Sequence, residues 1–258
     1  MVAELDGAPV AAAELESLAL TSYGHFTSMR VDDGGVRGLD LHLARLTRDA
    51  KALFGLDLDV GRVRALVRRA VPTSGSSTVR VTVYDPDLDL GHPETASQPR
   101  ILVTTRPAGP LTSTPIDVRT CVYGRDLPQV KSTGLFATIA HRRAARLAGH
   151  DDVLFTTPDG FVTEGATWNI GFFDGSTVVW PDADVLAGVT MDVLQGAHPG
   201  VRRAVHLKEA TRFPAAFATN AAVGVRAIAR IDGHDFDEEP SIVTHLREKY
   251  LRVAPQPV

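Results

Sequence analysis

Leu39, Leu43, Leu46, Ala50 and Leu53 recur at offsets 0, 4, 7, 11 and 14. That spacing predicts an amphipathic helix, ended by Gly55. Val63, Leu66, Val67 and Ala70 share one face of a second helix over 60–71. Before these, 2–10 reads as two short strands around Asp6-Gly7, 11–20 as a weak helix and 26–31 as a strand. Asp32-Asp33-Gly34-Gly35 is a hairpin turn. Strands follow at 78–84 and 101–105. The stretch 107–115 then holds three prolines and a glycine, which marks a linker. It divides the chain into a small N-terminal part, 1–106, and a larger C-terminal part, 116–258. The second part predicts a strand at 116–123 and a helix at 135–147 stopped by Gly149. Strands at 153–156 and 161–164 flank Pro158-Asp159-Gly160, and strands at 169–173 and 178–180 flank Asp174-Gly175. A helix after Thr190, a strand near Phe217 and a helix over 241–251 complete it. The fold class is α+β (mixed α/β), in two parts, an arrangement that favours a site in the cleft between them.

The chain has 258 residues, 44% hydrophobic and 22% charged, with a net charge of −4. No basic excess points to nucleic acid or to an anionic membrane. Cys121 is the single cysteine, so neither an intrachain disulfide nor a cysteine-based zinc site is expected. The N-terminus lacks the apolar run of a signal peptide, and no stretch of about 18 apolar residues spans a membrane. The expected location is the cytoplasm, with no metal.

Lys131 stands between a strand and a helix in Leu127-Pro128-Gln129-Val130-Lys131-Ser132-Thr133-Gly134-Leu135. Most lysines are solvated surface charges. Here, however, lysine occurs only at 51, 131, 208 and 249, and every other basic position apart from histidine is arginine. A desolvated lysine can form an imine, whereas an arginine cannot. Glu164 ends an apolar strand, 161–164. It is either a solvent-facing acid or a carboxylate that holds a heteroaromatic N–H⁺, and Gly165 after it would let a ligand approach the backbone. Gly188-Val189-Thr190 is either an ordinary helix cap or a phosphate-binding helix start. Asn220 and Ala221 follow a strand of small residues, with room for a second phosphate contact. Arg45 lies at the edge of the apolar stripe of the first helix, as a surface charge or an inward phosphate partner. The sequence contains no G-x-G-x-x-G after a strand, no G-x-x-x-x-G-K-[ST], no G-x-S-x-G and no H-E-x-x-H.

In order along the chain, these segments resemble the class IV aminotransferases, the fold-type IV enzymes of pyridoxal phosphate. That family includes branched-chain aminotransferase, D-amino acid aminotransferase and aminodeoxychorismate lyase. Leu41-His42-Leu43-Ala44-Arg45-Leu46 resembles the H-x-x-R-L helix and Val130-Lys131-Ser132 the lysine segment. Asp159 to Gly165 with Asn169-Ile170 resembles D-G-x-[VI]-x-E-(G)-x-x-x-N, and Gly188-Val189-Thr190 resembles G-[IV]-T. The resemblance implies that Lys131 is the Schiff-base lysine and Glu164 the partner of the pyridine nitrogen. It implies that Arg45, Gly188, Val189, Thr190, Asn220 and Ala221 hold the phosphate. Thr219-Asn220-Ala221-Ala222-Val223 stands where branched-chain members have T-G-T-A-A, and Phe136 where they have a tyrosine; Asn220-Ala221 looks more like the lyase subgroup. Arg30 and Arg80 are candidates for a substrate carboxylate, and Tyr23 and His25 for the pocket wall. The implied activity transfers an amino group between an amino acid or amine donor and a 2-oxo acid, in a homodimer. The alternatives are a lyase that eliminates pyruvate on the same cofactor, and a non-catalytic binding protein.

Overall fold

The computed structural model describes residues 2–96, 98–111 and 114–258. The chain forms two compact units. The first takes the chain up to Gly109 with Val130–Gly134 and Pro255–Val258, and the second takes Pro110–Gln129 and Leu135–Ala254. The division falls inside the proline-rich stretch, of which Thr112 and Ser113 lie outside the described residues. The Lys131 segment differs from the sequence reading, which put it in the 116–258 part. It joins the first unit because its backbone bonds there: Phe26 N–H donates to the Lys131 carbonyl and Thr133 N–H to the Gly24 carbonyl, each at 2.9 Å.

The first unit contains β1 (Val2–Leu5), β2 (Ala8–Pro9), α1 (Glu16–Thr21), β3 (His25–Asp32), β4 (Gly35–Val36), α2 (Leu39–Phe54), α3 (Val60–Ala70), β5 (Ser76–Tyr84) and β6 (Arg100–Pro107). With the C-terminal strand Gln256–Pro257 they build an antiparallel sheet in the order C-terminal strand, β4, β3, β5, β6, β1, β2. Alternation along β3 sends Met29 and Val31 to the face covered by α2 and α3, where they pack with Leu39, Leu43, Leu46 and Val63. The apolar stripe of α2 therefore faces the sheet as its period predicts. A second buried stripe beside it is polar, with His42, Arg45 and Asp49 at i, i+3 and i+7.

The second unit contains β7 (Ile116–Val122), α4 (Phe136–Leu147), β8 (Asp152–Thr156), β9 (Val162–Gly165), β10 (Asn169–Phe173), β11 (Val178–Pro181), α5 (Val189–Ala197), β12 (Val201–Arg203), α6 (Leu207–Ala210), β13 (Ala215–Asn220), β14 (Gly224–Ile231), β15 (His234–Asp235) and α7 (Ser241–Arg252). Pairing runs β10–β13–β14–β7–β8–β9 and returns to β10 through Glu164 opposite Asn169, which closes the ring. Ala216 and Ala218 of β13 point inward with Ile170, Phe172 and Leu154. Ala215 and Phe217 point outward onto α5 and α7. Gly165 is required at the seam because a Cβ there would fall 1.9 Å from the Trp168 indole. The space on the Cβ side of Gly165 is thus taken by Trp168.

His25, at the start of β3, has no solvent exposure, and neither ring nitrogen has a hydrogen-bond partner among the described residues. Burial pushes its pKa down to about 4. The unfolded chain takes up this proton near pH 6.5, where the native chain does not. Stability should therefore fall as pH drops from about 6.5 to about 4 and level off below, at about 1.4 kcal/mol per pH unit for this group. Urea denaturation of the parent and of His25→Phe across that range should show a steeper decline in the parent. Parallel curves would contradict the buried, neutral imidazole.

Candidate active site

In the first unit, Lys131 is held at both ends of its residue. Its N–H donates to Asp49 Oδ2 at 2.9 Å, and its carbonyl accepts from Phe26. Nζ lies 4.8 Å from the centroid of the Phe26 ring. The Arg80 guanidinium lies 3.6 Å from the same centroid, because Arg80 is opposite Ser28 in the β3–β5 register and so shares the face of Phe26. Burial pulls the Arg80 pKa down. On the other face of β3, the α2 polar stripe meets Thr27. Arg45 Nη2 donates to Thr27 Oγ1, and Thr27 Oγ1 lies 2.7 Å from His42 Nδ1. Because arginine can only donate, the Thr27 hydroxyl gives its own proton to Nδ1. His42 then stays neutral with its proton on Nε2. Burial, followed by the charges of Arg45 and Lys131, holds its pKa well below the usual imidazole value. Arg45 is accordingly a buried, pre-oriented cation rather than a surface charge.

In the second unit, Glu164 is 4% exposed on β9 and pairs with Arg125, whose Nε donates to Oε1 at 2.6 Å. Glu164 is therefore not a solvent-facing strand end. Asn169, opposite Glu164 on one side and Thr219 on the other, reaches across to the start of α5. Its Nδ2 donates to the Leu186 carbonyl at 2.8 Å. A Cβ on Gly188 would lie 2.0 Å from its Oδ1, so only glycine lets the helix start come this close. No side chain caps α5, which leaves the first-turn amides of Val189 and Thr190 at the positive end of the helix dipole. The Thr190 and Thr219 hydroxyls are buried without hydrogen-bond partners among the described residues. A buried polar group left so costs about 1–3 kcal/mol. An anion at this helix start would supply the Thr190 hydroxyl with a partner, so the residues present fit a phosphate group. Asn220 Oδ1 accepts from the N–H groups of Ala222 and Val223, each at 3.0 Å. This side chain closes the β13–β14 turn, and the amide of Ala221 is not one of those it takes.

The other sequence candidates have structural partners. Arg30 pairs with Asp32 at 2.8 Å and donates to the Gly109 carbonyl at 2.6 Å. Tyr23 donates its hydroxyl proton to the Leu53 carbonyl at 3.0 Å and meets the Phe54 ring edge-on. It ties the approach to β3 onto the end of α2. His25 is core, as described above. Phe136 opens α4 with 87% of its surface exposed. Sequence reasoning passed over Arg125, Asp49 and Thr219. A Gly-Arg-Asp after a strand reads as an ordinary loop, and Asp49 beside Arg48 reads as a surface pair on a helix.

The model of the amino-transferase class IV family matches residues 24–231. A probable branched-chain-amino-acid aminotransferase of Rickettsia typhi is 24% identical over 249 residues, covering 88% of this chain and 86% of that protein. Among solved structures, a branched-chain aminotransferase of the archaeon Thermoproteus uzoniensis with norvaline superposes with a TM-score of 0.84 at 23% identity, over 98% of this chain and 94% of that one. The PLP-bound form of a hypothetical aminotransferase from Mycobacterium tuberculosis superposes with a TM-score of 0.81 at 20% identity, over 98% and 99% of the two chains. The likeness to these structures is a likeness of fold, that of the fold-type IV aminotransferases, whereas the family match spans most of the chain. With a lysine held at its backbone, a buried carboxylate and an anion-ready helix start lying within the matched region, the chain belongs to the class IV amino-transferase family and is a pyridoxal-phosphate-dependent transaminase.

Proposed function

We propose that Lys131 carries the pyridoxal phosphate, that Glu164 holds the pyridine nitrogen, and that Arg45, Gly188, Val189, Thr190, Asn220 and Ala221 hold the phosphate. The observation that carries this reading is the Lys131 amine over the Phe26 ring, on a residue hydrogen-bonded through both its N–H and its carbonyl. The substrates are an amino acid and a 2-oxo acid. For their carboxylate we propose Arg80, whose guanidinium shares the Phe26 ring with Lys131; Arg30 is engaged by Asp32 and Gly109. The names of the Rickettsia and Thermoproteus relatives support an apolar α-amino acid as donor.

When bound, the cofactor supplies an electron sink for the electrons released as the substrate Cα–H bond breaks. Glu164 would keep the ring nitrogen protonated by charge pairing, with Arg125 fixing its carboxylate from the other side. Lys131 Nζ, as the neutral amine, would take the α-proton and return it. The face of β3 that carries Phe26 and Arg80 would orient the substrate carboxylate. A homodimer is supported by the apolar side chains that α4 leaves in the open, Phe136, Ile139 and Leu147. A cytoplasmic location is supported by the single cysteine. No helix among the described residues is long and apolar enough to cross a membrane.

Borohydride reduction of the cofactor-loaded protein, followed by peptide mapping, should put the label on Lys131 and not on Lys51, Lys208 or Lys249. A label elsewhere rejects the assignment. Glu164→Gln should retain the cofactor, because the phosphate contacts are separate from the ring nitrogen. Its single-turnover rate should fall by orders of magnitude, as loss of one charge-stabilising contact typically costs about 3–4 kcal/mol. A rate near the parent's, at full occupancy by absorbance, removes the role from Glu164. Light scattering at micromolar concentration should give twice the 27.6 kDa chain mass, and the chain mass alone contradicts the dimer.

A further inference from the structure

Asp49 is the third member of the buried polar stripe of α2. Its side chain has no solvent exposure. A buried carboxylate is costly unless it is paired and hydrogen-bonded. Asp49 has two kinds of donor. Arg48, half exposed, donates from Nε and Nη2 to Oδ1 at 3.1 and 2.9 Å. The Lys131 N–H donates to Oδ2 at 2.9 Å across 82 residues of sequence. Arg48 could balance the charge at the surface without any help from the 130–134 segment. The second bond has a different consequence. With Phe26 N–H on the Lys131 carbonyl, the peptide groups on both sides of the Lys131 Cα are held. A residue has only two soft backbone torsions, and both are then set. The Cα–Cβ direction is set with them, and only the side-chain torsions remain to be ordered.

We propose that Asp49 is a positioning residue for Lys131: its Oδ2 fixes the lysine amide and so the point from which the side chain reaches the cofactor. The proposal rests on Lys131 being the cofactor-bearing lysine. The carboxylate touches neither cofactor nor substrate in this role. Burial raises the Asp49 pKa, while the Lys131 amide and Arg48 pull it down. A neutral acceptor at the same place would therefore serve the same positioning purpose.

Three full-chain variants separate position from charge and from mere stability. Asp49→Asn keeps an acceptor oxygen in place without the charge, Asp49→Glu keeps the charge and displaces the oxygens, and Asp49→Ala removes both. Each is titrated with pyridoxal phosphate by visible absorbance, reduced with borohydride and mapped, at a temperature where circular dichroism shows the fold intact. Covalent occupancy of Lys131 in Asn should stay within about threefold of the parent, whereas Ala and Glu should lose about tenfold or more, below the roughly 100-fold that displacing a reacting group by around an ångström can cost in rate. In the cofactor-free parent, hydrogen exchange should show the Lys131 amide protected. A merely structural aspartate would lower the melting temperature of Ala without changing occupancy in the folded protein. Parent-level occupancy in folded Ala, an Asn variant as impaired as Ala, or an unprotected Lys131 amide overturns the proposal. Should Ala fail to fold, Glu and Asn decide between themselves, and parent-level occupancy in Glu overturns it. If the parent takes no label on Lys131, the cofactor assignment itself falls, which is a different result from a labelled parent with an indifferent Asp49.

Discussion

The hydrogen bonds on either side of Lys131 are the constraint on which its placement in the first unit depends. A lysine side chain has four rotatable bonds, and ordering it costs up to about 2 kcal/mol of rotamer entropy. Placed on an unanchored connection, it would add backbone freedom to that cost. Here the connection is pinned to Gly24, Phe26 and Asp49, so the amine starts from a fixed position over an aromatic face. The Arg80 guanidinium lies against the same Phe26 ring.

The second unit has a corresponding anchor in Asn169. It stands at the seam of the strand ring, opposite Glu164 and Thr219, and its side chain holds the turn before α5. One buried amide thereby relates the carboxylate strand, the threonine strand and the helix start. Gly188 is a consequence of that closeness. Buried polar groups are kept where they have partners. Thr190 and Thr219 lack them among the described residues, and Thr190 lies in the first turn of α5, the helix end at which an anion is best held.

Much of the framework was legible from residue pattern. The period of Leu39, Leu43, Leu46 and Ala50 predicts α2 and its buried face, and Gly55 its end. The structure gives α2 as Leu39–Phe54, with Gly55 in the left-handed conformation. The hairpin turns and most strands are where alternation and Asx-Gly signals put them. Lys131, Glu164 and Gly188-Val189-Thr190 stood out as candidate positions because their order resembles a family pattern. The burial of Glu164 and Arg45 was not legible: a strand-end glutamate and an arginine on the margin of a helix stripe have the same sequence appearance whether wet or dry.

Sequence alone determined most of the elements and the family, because these rest on local periodicity and on motifs read in order. Tertiary structure alone decided the partners. Arg125 reaches Glu164 across 39 residues, Asp49 reaches Lys131 across 82, and Trp168 fills the space that Gly165 left open. It also decided that His25 is core and not pocket wall. The physical reason is common to all of these. Hydrogen bonds and desolvation act through space over a few ångströms, so their effect on a side chain depends on which strand or helix folds back onto it, and residue spacing carries no record of that.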